Sequence, residues 1–165
     1  MRAISLIFPA LPLCLMIAAP VAAKFPSLPK QLQGVWMTDD AAGRAQCDAF
    51  KTALRQGLEP ALNHLVGAEI VSRNVVHSYA EYGEGNFYQP TAIHSAGKQS
   101  WTLKTRVGFD QMPGGEHDGS AEFKLTLRAG KLVWVNLTYD GKAASRSEEI
   151  LLSRCAPVPA KLYGS

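Results

Sequence analysis

His77, Tyr79 and Glu81 stand at alternate positions of one segment, with Tyr82 directly after them and His94 further on. In an extended strand the side chains at i, i+2 and i+4 project to one side, so the first three share a face. Turned into a barrel, that face would bring hydrogen-bonding groups among apolar walls, the usual make-up of a small-ligand pocket. Turned outward, it is an ordinary solvated sheet surface. Period-two alternation says which residues lie together and leaves open which side is wet. A metal reading requires His94 to meet His77 across a hairpin and Glu81 to join them. The sequence lacks the spaced set of three or four ligands that specific sites need, so no metal or other cofactor is expected.

Gln111 to Gly119 reads Gln-Met-Pro-Gly-Gly-Glu-His-Asp-Gly. Glu116, His117 and Asp118 are contiguous where a calcium loop spaces its ligands, and the glycines do not lead into a helix as a phosphate cradle does. The segment reads as a polar loop tip, or as a binding loop offered to a partner's cleft. No Gly-x-Ser-x-Gly motif occurs, and Trp101 and Trp134 read as core or face-packing residues. With no nucleophile, base and orienting group to name, the chain reads as a non-enzyme.

The elements that must position these residues are mostly strands. After an extended arm with Pro26 and Pro29, Leu32 to Met37 is the first strand candidate. Asp39 and Asp40 offer N-cap chemistry to Arg44–Val66, where Cys47, Phe50, Leu54, Leu58, Ala61, Leu62 and Leu65 recur at helical spacing. Gly57 and Pro60 interrupt that stretch, which fits two short helices or one kinked helix. From Glu69 the period becomes two. Glu69–Tyr82 and Asn86–His94 predict a strand pair around Gly83-Glu84-Gly85. Trp101, Leu103, Thr105, Val107 and Phe109 share one face of the next strand. Ala121–Leu127 and Leu132–Tyr139 are joined at Ala129-Gly130, and in the latter Val133, Val135, Leu137 and Tyr139 share a face. Arg146 to Cys155 is the closing strand. About seven strands with one helical insertion after the first predict a mainly β fold, an antiparallel meander closing into a small barrel or half-barrel.

Arg2, the apolar run Ala3–Ala19 and the small residues Val21-Ala22-Ala23 follow the order of a secretory signal, which places the mature start at Lys24. The run is short for a membrane span and carries Pro9, Pro12 and Pro20. Residues 1–23 are therefore expected to be a signal peptide and 24–165 a single β domain, periplasmic or secreted. Cys14 would leave with the signal. Cys47 and Cys155 remain, and an oxidising compartment favours their pairing. The mature net charge of about +2 comes from scattered basic residues with no stripe for phosphates, so nucleic acid is not an expected partner.

Gly34-Val35-Trp36 with Arg154 resembles the lipocalin and calycin barrels. There a first-strand Trp packs across the closed barrel end and a basic residue of the last strand covers it. The helical stretch replaces the hairpin that usually follows the first strand in those proteins. The wider layout is similar to small, functionally uncharacterised exported proteins of Gram-negative bacteria. Leu32, Gly34, Trp36, Cys47, Tyr79–Tyr82, Arg154 and Cys155 carry that resemblance. It implies location and fold and assigns no catalytic residue. The expected function is binding of a small apolar or amphipathic molecule, or an envelope component, in the barrel. The alternative is a protein-interaction module, such as an inhibitor of a cell-wall hydrolase, acting through Gly114–Gly119 or the Tyr79–Glu84 turn.

Overall fold

Strands with one apolar face lose their edges when the sheet they form bends round and meets itself. The computed structural model describes residues 25–115, 118–144 and 148–163. Its strands are β1 (Gly34–Thr38), β2 (Glu69–Val71), β3 (Val76–Tyr79), β4 (Gly85–Ser95), β5 (Ser100–Phe109), β6 (Gly119–Arg128), β7 (Lys131–Tyr139), β8 (Lys142–Ala143) and β9 (Glu149–Ala156). Neighbours pair antiparallel from β1 through β7, and β9 then bridges β7 to β1. Eight strands thus close a barrel, and β8 is a two-residue addition on β7. The mainly β, closed meander expected from the alternation is what forms.

Helices α1 (Ala41–Leu54) and α2 (Leu58–Leu62) occupy the connection from β1 to β2. Asp40 caps α1 by accepting from the Gly43 amide at 2.7 Å. Gly43 is required there, because an added Cβ would lie 2.1 Å from the Thr38 carbonyl oxygen. Gly57, at φ +139°, separates the helices, and Pro60 falls in the first turn of α2. The insertion is therefore two short helices.

This insertion gives the barrel a second core. Trp36, Val71, Val76, Leu103, Phe123 and Leu125 belong to the cluster inside the ring. Phe50, Ala53, Ala61 and Leu65 instead pack on Val35, Met37, Ile70 and Ala156, on the outer face of the sheet. Cys47 and Cys155 are bonded, tying α1 to β9 across 108 positions. Asp39, between β1 and α1, accepts from Lys131 and from the Ser153 hydroxyl at 2.7 Å. These bonds, with the Lys131 partner dominant, hold its carboxyl below the ordinary carboxylate value.

One end of the barrel is sealed. Leu28 and Leu32 of the N-terminal arm are buried in the interior cluster, and the Trp36 indole donates to the Leu32 carbonyl at 2.8 Å. The Arg154 guanidinium lies 5.9 Å from the Trp36 ring centre and donates to the Gln33 carbonyl at 2.6 Å. A side chain at Gly34 would meet Arg154 Nε at 2.9 Å, so glycine lets the arginine lie flat. Gly34, Trp36 and Arg154 thus lie together at the sealed end.

Several sequence expectations change. The N-terminal arm packs as a plug, since Leu28 and Leu32 are buried in the barrel interior. The stretch expected as one strand over Glu69–Tyr82 is β2 and β3, reversed at Ser72–Val75 by the Ser72 hydroxyl, which donates to the Val75 carbonyl at 3.0 Å. In β7 a register shift opposite Glu122/Phe123 leaves Leu137 as an extra residue. Tyr139 consequently joins the inward side with Trp134 and Asn136, away from Val133 and Val135. The proposed signal segment, Glu116, His117 and Arg146 lie outside the described residues. Among the described residues, no helix is long and apolar enough to cross a membrane.

Candidate functional site

His77 and Tyr79 do share a face, and it is the outer one. His77 pairs with Ile70 and Phe87, and Ile70 belongs to the outer core. The imidazole stacks on Phe87 with ring centres 3.7 Å apart and is only 1 % exposed. Nε2 lies 2.9 Å from the Glu84 carbonyl, which can only accept, so Nε2 carries the proton. Nδ1 then accepts from the Tyr163 hydroxyl at 3.0 Å. Burial pushes the His77 pKa below its ordinary value, outweighing the Glu84 bond. The expected alternatives, an interior pocket wall or a solvated surface, both give way to a structural histidine under the C-terminal tail.

Tyr79, Glu81 and Tyr82 line one surface hollow with Glu59, Leu62 and Val66, and neither His77 nor His94 joins them there. Glu81 and Tyr82 lie in a short 3-10 turn, where Tyr82 is 94 % exposed at φ +58°. His94 is exposed on β4, seven residues beyond the partner of His77, a separation on the order of 20 Å along the strand. His77, His94 and Glu81 therefore cannot share an ion.

The functional groups that do converge lie on the opposite side of the same strands. Register places Glu69, Ser78, Asn86 and Phe109 opposite one another across β2 to β5, on the inward face. They mark the end away from Leu28 and Leu32. That end is open: inward positions Phe109, Tyr139 and Ile150 are 49, 39 and 40 % exposed, whereas Leu32 at the sealed end is 0 %. Below this rim, Phe123 and Trp134 stack with centres 4.2 Å apart, and Tyr88 sets its edge against both, at 5.3 and 5.9 Å.

Polar groups line one wall of this mouth. Ser78 donates to Glu69 Oε2 at 2.7 Å, and the Asn86 amide donates to the Tyr88 hydroxyl at 3.2 Å. Across the floor, the Trp134 indole donates to Asn136 Oδ1 at 2.7 Å. Glu69, Ser78, Asn86 and Tyr88 are all half-buried, so solvent reaches them down the mouth. Burial pushes the Glu69 carboxyl up to about 7, against the opposing Ser78 bond. Tyr88 is raised as well, chiefly by burial, with the nearby Glu69 carboxylate adding to it.

Comparison with known proteins finds no match: no family model, no curated protein and no solved structure. The geometry therefore carries the functional reading. It gathers half-buried polar groups and one ionisable carboxyl on the inward face beside the exposed rim residues Phe109, Tyr139 and Ile150, the mixture of polar and apolar groups that ligand sites use. Sequence reading passed over Glu69, Ser78, Asn86 and Tyr88. Their signal was the alternation they share with Val76, which places them on the face opposite His77 and Tyr79.

Proposed function

We propose that the protein is an exported, non-enzymatic binding protein that takes a small apolar or amphipathic molecule, or part of an envelope component, into the open end of its barrel. The observation that carries this reading is the pairing of exposed inward apolar side chains at the rim, Phe109, Tyr139 and Ile150, with the half-buried polar groups Glu69, Ser78, Asn86 and Tyr88 on the same inward face. Apolar inward side chains left exposed at the rim, Phe109, Tyr139 and Ile150, are a standing gain for any ligand that covers them. The test is a titration with N-phenyl-1-naphthylamine, a neutral fluorescent amphiphile, read by energy transfer from tryptophan. Saturable binding that is lost in Asn86→Trp, which fills the mouth, is expected. No saturable binding, or binding unaffected by that substitution, overturns the reading.

A second reading, an interaction module such as a hydrolase inhibitor, draws support from Tyr82. Its φ of +58°, followed by Gly83 at +85°, holds an almost fully exposed aromatic ring on the turn after β3. Exposed tyrosines often anchor protein interfaces. Capture of a periplasmic hydrolase that is lost on Tyr82→Ala would favour this reading; equal capture by both proteins would remove it.

A further inference from the structure

Outside the barrel, a hollow of about 720 Å³ lies between the C-terminal tail, the Ser72–Val75 turn and the loop that follows β5. Small-molecule sites span roughly 300 to 1,000 Å³, so this one has the right size. The chain itself fixes its walls. Val158, Leu162 and Tyr163 pack the tail onto the outer core, and the Tyr163 hydroxyl bonds His77. The Leu28 amide anchors the turn by donating to the Arg73 carbonyl at 2.7 Å. At Gly108 an added Cβ would stand 2.2 Å from the Gln111 carbonyl oxygen, so glycine lets the loop fold back onto the sheet and bring Met112 to the hollow.

Val75, Met112, Val158 and Pro159 give the hollow apolar walls, and Met112 is left 44 % exposed. Arg73 is the charged side chain in this lining, and no acidic side chain among the described residues joins it there. It makes no ion pair with any of them. Asp110, the acid nearest Met112 in the chain, is turned to the Gly85 amide. A guanidinium at the edge of apolar walls matches a ligand with one carboxylate on an apolar body, because its paired N–H donors fit the two carboxylate oxygens. The flexible thioether of Met112 adapts to the shape of that body. We propose that the hollow is a second binding site, for small amphipathic carboxylates, with Arg73 as the residue that selects their charge. It is separate from the barrel mouth and does not rest on the function proposed there.

Methyl NMR of the methionines reads the site directly, because Met112 lines the hollow while Met37 is buried in the outer core and serves as the control. Octanoate, 1-octanol and octylammonium are titrated at about pH 7, where the acid and the amine both carry their charge. Octanoate should shift the Met112 methyl saturably and leave Met37 in place. It should bind about fivefold tighter than octanol, the upper end for an exposed ion pair, and octylammonium should be weakest. Arg73→Gln should reduce octanoate to the affinity of octanol with the Met37 signal unmoved, and Asn86→Trp at the barrel mouth should leave octanoate binding as it is. No saturable shift of Met112, octanoate binding no tighter than octanol, or an octanoate affinity unchanged in Arg73→Gln overturns the site. Octanoate binding that is lost in Asn86→Trp assigns the ligand to the mouth, which overturns this site and leaves the proposed function standing.

Discussion

Glu69→Gln should stabilise the fold in alkali and leave it almost unchanged in acid. The carboxyl ordinarily titrates near 4.5 and is lifted to about 7 by burial. Below 4.5 it is protonated in both folded and unfolded chains and costs nothing. Between the two values the folded chain holds a proton that the unfolded chain has released, so stability falls as pH rises. Above about 7 the fold carries the full cost of a buried charge, about 3 kcal/mol at about 1.4 kcal/mol per pH unit. Glutamine removes the charge while its carbonyl oxygen still accepts from Ser78. Urea unfolding of both proteins, from about pH 4.5 to 8.5, isolates this contribution as the difference between them. The difference should climb toward about 3 kcal/mol across that range. A flat difference, or a variant less stable than wild type at about pH 8, would refute the burial argument.

His77 slopes the other way. As a buried neutral imidazole with a lowered pKa, its stabilising contribution is complete above 6.5 and is lost as pH falls below that toward the folded value. An NMR titration of its ring should show the Nε2–H tautomer persisting below 6.5, and a midpoint at or above that value would contradict the placement. Replacing both Cys47 and Cys155 by serine should cost about 4 to 5 kcal/mol in urea unfolding, from the freedom returned to the unfolded chain; a cost under about 1 kcal/mol would show that the bridge constrains little. Gly43→Ala should destabilise by about 1 to 3 kcal/mol, although alanine ordinarily favours a helix, because its Cβ meets the Thr38 carbonyl. A gain in melting temperature for that variant would remove the close approach of α1 to β1. Asp40→Ala should cost about 1 kcal/mol through the lost cap, read as a lowered unfolding midpoint; an unchanged midpoint would discount the cap.

The barrel was legible because its long strands obey one period. Trp101, Leu103 and Val107 on β5 and Phe123 and Leu125 on β6 alternate with polar residues that face water, so their burial was readable. The paired cysteines, the Asp40 cap and the break at Gly57 were also readable, each resting on local chemistry. The site was not. Around β2 and β3 both faces are buried, one by the barrel and the other by α1, α2 and the tail. Alternation between two buried faces carries no inside or outside label, so attention fell on the polar and aromatic run at His77 and Tyr79 while Glu69 and Ser78 passed unread. The turn at Ser72–Val75 escaped because it has no glycine or proline and is made by a serine hydroxyl. Tyr139 changed sides through a single extra residue in β7, which no periodicity announces.

The closing strand has a further consequence. β9 is the last strand among the described residues, and it supplies the partner for the free side of the first strand and for β7. A chain that ends before residue 149 would keep every other strand and yet present two unpaired edges, Val35–Thr38 and Leu132–Val135, at opposite ends of an open sheet. Such edges are templates for pairing with other chains. Truncation products and stalled chains of this protein would thus offer both edges to other chains, and the eight residues of β9 act as its safeguard against aggregation.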